Sequence, residues 1–157
     1  ENVKLMNYIL EEFIPQYSSS IELVIISANW INYSTYLPNK NIKFKILELI
    51  KYLEDKNIKF KIIGQTETYL TAFPIISAKK KMFPNIIDSN NYINKEAYEM
   101  NKLLKSIISN DIYLDIYNIL DNKITTNFTP YMSDKNHLTK WATDKYIENL
   151  INQGLLK

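Results

Sequence analysis

The pattern of apolar and polar positions predicts seven elements. In residues 3–13, "VKLMNYILEEF", Val3, Leu5, Met6, Ile9, Leu10 and Phe13 fall largely on one helical face, and Pro15 is expected to end the helix. "IELVIIS" (21–27) is a short β-branched run and predicts a buried strand ending near Ser27. The polar and aromatic "SANWINYSTYLPNKN" predicts a loop. Helical spacing returns in "FKILELIKYLEDKN" through Phe44, Leu47, Ile50 and Leu53, and "IKFKIIGQ" (58–65) predicts a second strand.

Residues 66–93, with Pro74, Pro84 and several Asn and Ser, predict an irregular excursion of the kind that is often functional. "NKEAYEMNKLLKSIISN" spaces Ala97, Met100, Leu103, Leu104 and Ile107 as a helix, and "DIYLDIY" follows as a short strand. "NKITTNFTPYMSD" predicts extended or irregular chain. "LTKWATDKYIENLINQG" predicts a closing helix with Gly154 at its C-terminal end. Helices alternating with short apolar strands predict one α/β domain over residues 1–157: a mainly parallel sheet with helices on both faces, in three layers. Ligands of such folds bind beyond the carboxyl ends of the strands. That rule directs attention to Ser27–Trp30, Gln65–Glu67, Asp115 and the loop with Asp134 and His137.

Composition narrows the chemistry. The 157 residues are 46% hydrophobic and 23% charged, enough for one core. The absence of cysteine excludes disulfides, a thiolate nucleophile and a cysteine zinc site, and a single histidine argues against a protein-only zinc site. Neither metal nor cofactor is expected. All 19 basic residues are lysine, net charge is +2, and the one basic run is Lys79–Lys81, which argues against nucleic acid as the main partner. That run predicts an exposed loop able to meet anionic glycan or lipid headgroups. No apolar run approaches the roughly 18 residues of a membrane span and no signal peptide is visible, so a soluble piece is expected. The chain opens on Glu1, as a processed product or part of a longer polypeptide does.

The only histidine stands in "MSDKNHLTKW" (132–141). One reading makes this a helix start, with Thr139 or Ser133 as cap and Asp134 accepting from free helix N–H groups. The other has Asp134 accept from one ring nitrogen of His137, leaving the opposite nitrogen to take a proton from a serine hydroxyl. Glu11 and Glu12 read as a solvated helix face. Trp30, Tyr33, Tyr36 and Tyr69, near strand ends, are candidates for stacking on sugar rings.

The succession "ELVIISANW", "KFKIIGQTE", a helix beginning near Asn94, "IYLDIYNIL" and "YMSDKNHLT" resembles the later part of an SGNH hydrolase domain. It is most similar to the form attached to bacterial membrane acyltransferases of family three, which O-acylate cell-surface glycans. The resemblance implies a flavodoxin-like sheet. The family's Asp-x-x-His block falls on Asp134 and His137, implying that they complete a serine triad. Its oxyanion asparagine falls on Asn29 of "SANW", with Ser27 and Trp30 in place of the usual glycine and aspartate. Trp141 stands where a small residue is usual, so local helix packing is expected to differ.

The family's Gly-Asp-Ser block is absent. The resemblance then implies that the first strand and the nucleophile lie upstream of Glu1. Inside the chain, Ser27 ends a strand but lacks small neighbours; Ser18, Ser19 and Ser20 sit at a strand's amino end; Ser133 is constrained by its own loop. The implied function is acyl transfer, of acetyl by expectation, to a bacterial surface polysaccharide. The donor would be a membrane acyltransferase domain and the location extracytoplasmic. A secreted carbohydrate esterase and a non-catalytic glycan-binding domain are the alternatives.

Overall fold

Three short strands position everything else. The computed structural model describes residues 2–32, 39–120 and 129–155. Strands β1 (Val24–Ile26), β2 (Phe60–Ile63) and β3 (Tyr113–Leu114) form a parallel sheet in the order β1-β2-β3, with Val24 opposite Phe60, Ile62 opposite Tyr113 and Ile63 opposite Leu114. Successive side chains point to opposite faces of a strand. Phe60, Ile62 and Tyr113 accordingly enter one apolar cluster, while Ile63 and Leu114 enter another.

Each cluster is closed by helices. On the first face lie α3 (Asn39–Asp55), through Ile42, Ile46, Ile50 and Leu53, and α5 (Lys95–Ile107), through Ala97, Met100 and Leu104. On the second lie α4 (Phe73–Met82), through Phe73 and Ile76, and α6 (Lys140–Asn152), through Ala142, Tyr146 and Leu150. The expected three-layer α/β arrangement with a parallel sheet is therefore present. The crossovers from β1 to β2 and from β2 to β3 place α3 and α5 on the same face, which is why the strand order advances in one direction.

Several local expectations change. The N-terminal helix does not stop before Pro15: α1 (Asn2–Asn7) continues through a π-helical segment (Tyr8–Phe13) into α2 (Ile14–Tyr17). Pro15 lies in the first turn of α2, where a missing N–H costs little. Ile14 is buried, whereas Leu5, Met6 and Phe13 are exposed. In α3 the buried stripe is Ile42, Ile46, Ile50 and Leu53, and the expected Phe44 and Leu47 face water. β1 is not fully buried, since Ile25 is 49% exposed on the face that α4 and α6 cover elsewhere. The segment 66–93 contains α4 and a 3-10 turn (Ser89–Tyr92), so Lys79–Lys81 sit in the last turn of a helix instead of a loop. Most of "NKITTNFTPYMSD" lies outside the described residues.

The ends of helices follow side-chain chemistry. Asn94 caps α5 by accepting from Glu96 N at 3.1 Å, and Thr139 caps α6 by accepting from Ala142 N at 3.3 Å. Gly154 takes φ of 69° after α6, the left-handed conformation glycine adopts at little cost. The bulky Trp141 is half-buried while the neighbouring Ala142 fills the fully buried position, so the small residue has its place one step later.

Gly64, one residue past β2, donates to Leu114 O at 2.9 Å and has the Tyr113 phenol beside its Cα. A Cβ at position 64 would stand 2.7 Å from Tyr113 Cζ, closer still to its hydroxyl, and 3.0 Å from Asn101 Oδ1. That phenol is buried and donates to Asn101 Oδ1 at 2.5 Å, so it has little freedom to retreat. Gly64→Ala is expected to lower stability by about 1–3 kcal/mol, the usual cost of overpacking a core, measured by urea denaturation.

Candidate functional site

A cleft of about 590 Å³ opens at the carboxyl ends of β1 and β2. Its walls are Ser27 and Asn29 after β1, Gly64, Gln65 and Thr66 after β2, Ile116 after β3, and Asn136, His137, Thr143 and Tyr146 from the start of α6 and its approach. The residues that the fold rule singled out after the first two strands thus meet the loop holding the only histidine.

Local hydrogen bonds build the histidine wall. Met132 and Leu138 form an antiparallel bridge, Ser133 N donates to His137 O at 2.8 Å, and the reversal between them is Asp134–His137. Asp134 Oδ1 accepts from the backbone N–H of Asn136 at 2.8 Å and of His137 at 2.9 Å. Its other oxygen, Oδ2, lies 2.6 Å from His137 Nδ1. Both oxygens are therefore used inside this turn, and the cap of α6 is Thr139. Asp134 is not a helix cap.

The backbone bonds from Asn136, the His137 ring and the His137 N–H hold the Asp134 carboxyl down at about 2. A carboxylate pinned in this way keeps Nδ1 engaged and turns Nε2 away from the aspartate, as a general base requires. His137 is 74% exposed at its side chain, so the pair stands on the rim of the cleft and is open to a second molecule or segment.

The turn is fixed from beneath. Tyr69 N donates to Lys135 O and Phe73 N to Asp134 O, each at 2.9 Å. The rings of Tyr69, Phe73 and Tyr131 pack in tilted and edge-on pairs with centroids 4.7 to 6.1 Å apart, and Tyr131 Oη donates to Tyr69 Oη at 2.8 Å. Next to them Glu67 is wholly buried and accepts from Tyr146 Oη at 3.4 Å. Burial, with the Glu67 charge as the second cause, raises the hydroxyls of Tyr131 and Tyr146 above the ordinary phenol range, so both remain neutral donors.

The facing wall is tied to β2. Trp30 Nε1 donates to Ile63 O at 2.9 Å, and Ile31 N donates to Gln65 Oε1 at 3.2 Å. These bonds hold the "SANW" turn over the cleft. Asn29 Oδ1 is buried there with no hydrogen-bond partner. That oxygen can only accept, as from a hydroxyl; an oxyanion in the cleft would be met by the N–H donors of the same carboxamide.

The structure brings Ser27, Asn29 and His137 to one cleft, with Asp134 behind the histidine. Ser27 is exposed at the end of β1. Ser18, Ser19 and Ser20 form a 3-10 turn at the other end of that strand, and the Ser133 hydroxyl donates to His137 O at 3.1 Å. Asp115 does not join: it accepts from Lys105, Asn101 and Tyr117 N and lines a separate cavity under α5. Trp30 and Tyr69 are core residues, not platforms for a sugar, because both are buried; Tyr33 and Tyr36 lie outside the described residues. Thr143 and Tyr146 are members of the site that motif reasoning passes over. Their spacing on α6 with Ile147 and Leu150, all four on the cleft, is the signal that would find them.

Among the described residues no three His, Asp or Glu side chains gather as a metal site, and no helix is long and apolar enough to cross a membrane. Searches of family models, curated proteins and solved structures return no match to this chain.

Asp134 sets a pH signature. Its folded-state value lies below that of the unfolded chain, so its contribution to stability is present above about pH 4 and is lost as pH falls through about 2. The Asp134 carboxyl carbon is expected to titrate near 2 by NMR. The stability difference between the wild type and Asp134→Asn is expected to shrink as pH falls from about 4 through about 2.

Proposed function

We propose that this chain is the later part of an SGNH-type domain and that its cleft transfers an acyl group to a hydroxyl of a bacterial surface glycan. The observation that carries the proposal is the 2.6 Å contact between Asp134 Oδ2 and His137 Nδ1, on the rim of a cleft that also holds Asn29. Asn29 comes from the end of β1 and the Asp134–His137 pair from the turn before α6, and they converge beyond the carboxyl ends of a parallel sheet, where such chemistry is housed.

In this reading His137 Nε2 takes the proton of a serine hydroxyl as its oxygen attacks the acyl carbonyl, and returns it to the departing donor group. A glycan hydroxyl then attacks the acyl-serine, gives its proton to Nε2, and leaves as the ester while the serine is reprotonated. Asp134 orients the ring and stabilises the imidazolium, and the Asn29 amide donates to the tetrahedral oxyanion.

The serine is assigned to a segment outside these 157 residues. Two features support this. Among the described residues β1 is paired on one side only, and Leu23 and Ile25 beside that open edge are exposed. A strand added parallel to β1 would end beside Ser27–Asn29, facing His137. A sheet edge left open in this way offers a row of unpaired N–H and C=O groups to such a strand. The acyl donor, in the same proposal, is a membrane acyltransferase domain working outside the cytoplasm.

For the full-length protein, His137→Ala is expected to lower kcat for a small aryl acetate on the order of 10³-fold or more, with the melting temperature nearly unchanged. Ser27→Ala is expected to leave both turnover and fluorophosphonate labelling intact. Loss of labelling in Ser27→Ala would move the nucleophile into this chain; no labelling of the folded full-length protein would leave a glycan-binding domain without acyl chemistry.

A further inference from the structure

Residues 78–86, "AKKKMFPNI", are exposed without interruption, from the last turns of α4 into the turn that follows. Three consecutive lysines share this run with Met82 at 70%, Phe83 at 49% and Ile86 at 77% exposure. Ile75, also exposed, lies seven residues before Met82 and so on the same face of α4. From Thr68 to Ile87 there is no acidic residue.

Helix-end electrostatics explains half of this. Lys79, Lys80 and Lys81 lie in the last turn of α4, where cations oppose the negative end of the helix dipole. It does not explain Met82, Phe83 and Ile86, which gain nothing from that field and expose apolar area to water beside the charges. Apolar side chains bordered by lysines are what an anionic bilayer surface takes up: the lysines stay with the headgroups and the apolar tips enter the acyl boundary. A polysaccharide could match the charge but offers no apolar phase for the methionine and isoleucine.

We propose that the end of α4 and the turn after it, from Lys79 to Ile86, form a docking surface for an anionic phospholipid membrane. The inference does not rest on acyl chemistry at His137. It does set a distance, because α4 begins at the Asp134 turn through the Phe73–Asp134 hydrogen bond and is ten residues long. Seating on lipid keeps that turn within one helix length, about 15 Å, of the docked residues.

Co-sedimentation of the full chain with vesicles tests the idea. Binding is expected with phosphatidylglycerol mixed into phosphatidylcholine, not with phosphatidylcholine alone, and it should weaken as salt is raised. Replacing the three lysines by glutamine (Lys79→Gln, Lys80→Gln, Lys81→Gln) should weaken partitioning on the order of a hundredfold. Met82→Ser with Ile86→Ser should weaken it several-fold at an unchanged melting temperature. Because the chain has no cysteine, Ile86→Cys takes a single environment-sensitive dye, whose emission should shift to the blue on anionic vesicles. The proposal is overturned by absence of binding to anionic vesicles, by binding undiminished in the folded lysine or Met82/Ile86 variants, or by an unmoved dye on vesicle-bound protein. Retention on an acidic polysaccharide with none on vesicles overturns it as well.

Discussion

Two backbone hydrogen bonds hold the Asp134–His137 turn in place: Phe73 N to Asp134 O and Tyr69 N to Lys135 O. They join the segment after β2 to a turn some 65 residues later, and nothing within the turn itself could anchor it to the sheet. Beneath them the Tyr69, Phe73 and Tyr131 rings exclude water, so the bonds form in a medium where losing them is costly. An exposed Asp–His pair standing alone would contribute little and hold no direction. On this platform the same pair has a fixed aspect toward the cleft.

The opposite wall depends on β2. Among the described residues it is the one strand bonded on both sides, and the residues just past it do several jobs at once. Ile63 O receives Trp30, Gln65 receives Ile31, and Gly64 leaves room for the Tyr113 phenol against Asn101. Each contact removes a degree of freedom from the "SANW" turn or from β3. The cleft is thus defined by the end of one strand more than by its own lining. Among the described residues the open edge of β1 has the reverse character, with apolar side chains exposed beside backbone that no other strand pairs.

Much of this was legible in the residues. The parallel three-layer fold follows from helix and strand periods in alternation, and α5 and α6 end where Asn94, Thr139 and Gly154 say they should. The three-residue spacing of Asp134 and His137 allowed one side chain to fold onto the other, but spacing alone left the helix-start reading equally open. What was not legible has physical causes. In α3, Phe44 and Leu47 are as apolar as Ile46 and Ile50, and only packing against the sheet chooses between two stripes one residue apart. Pro15 marks a helix start as readily as a stop, so position alone could not decide. Trp30 and Tyr69 read as surface aromatics because loops are usually exposed; here each loop folds back over the ends of β2 and β3 and buries them. Tyr146 and Glu67 are far apart along the chain, and no local pattern reveals that they meet.

The compactness of the Asp134–His137 turn has a mechanical consequence. In a site assembled from distant segments, the orienting acid and the base can be pulled apart by a loop motion, and activity can be gated that way. Here Asp134 and His137 are three residues apart, share two hydrogen bonds, and sit in one turn just before α6, so they move as one rigid piece. Ser27–Asn29, by contrast, reach the cleft from the end of β1, and the bonds that tie this segment to β2 and Gln65 come from Trp30 and Ile31. A change in the width of the cleft is then a displacement of one whole wall against the other, with the Asp134–His137 geometry unchanged.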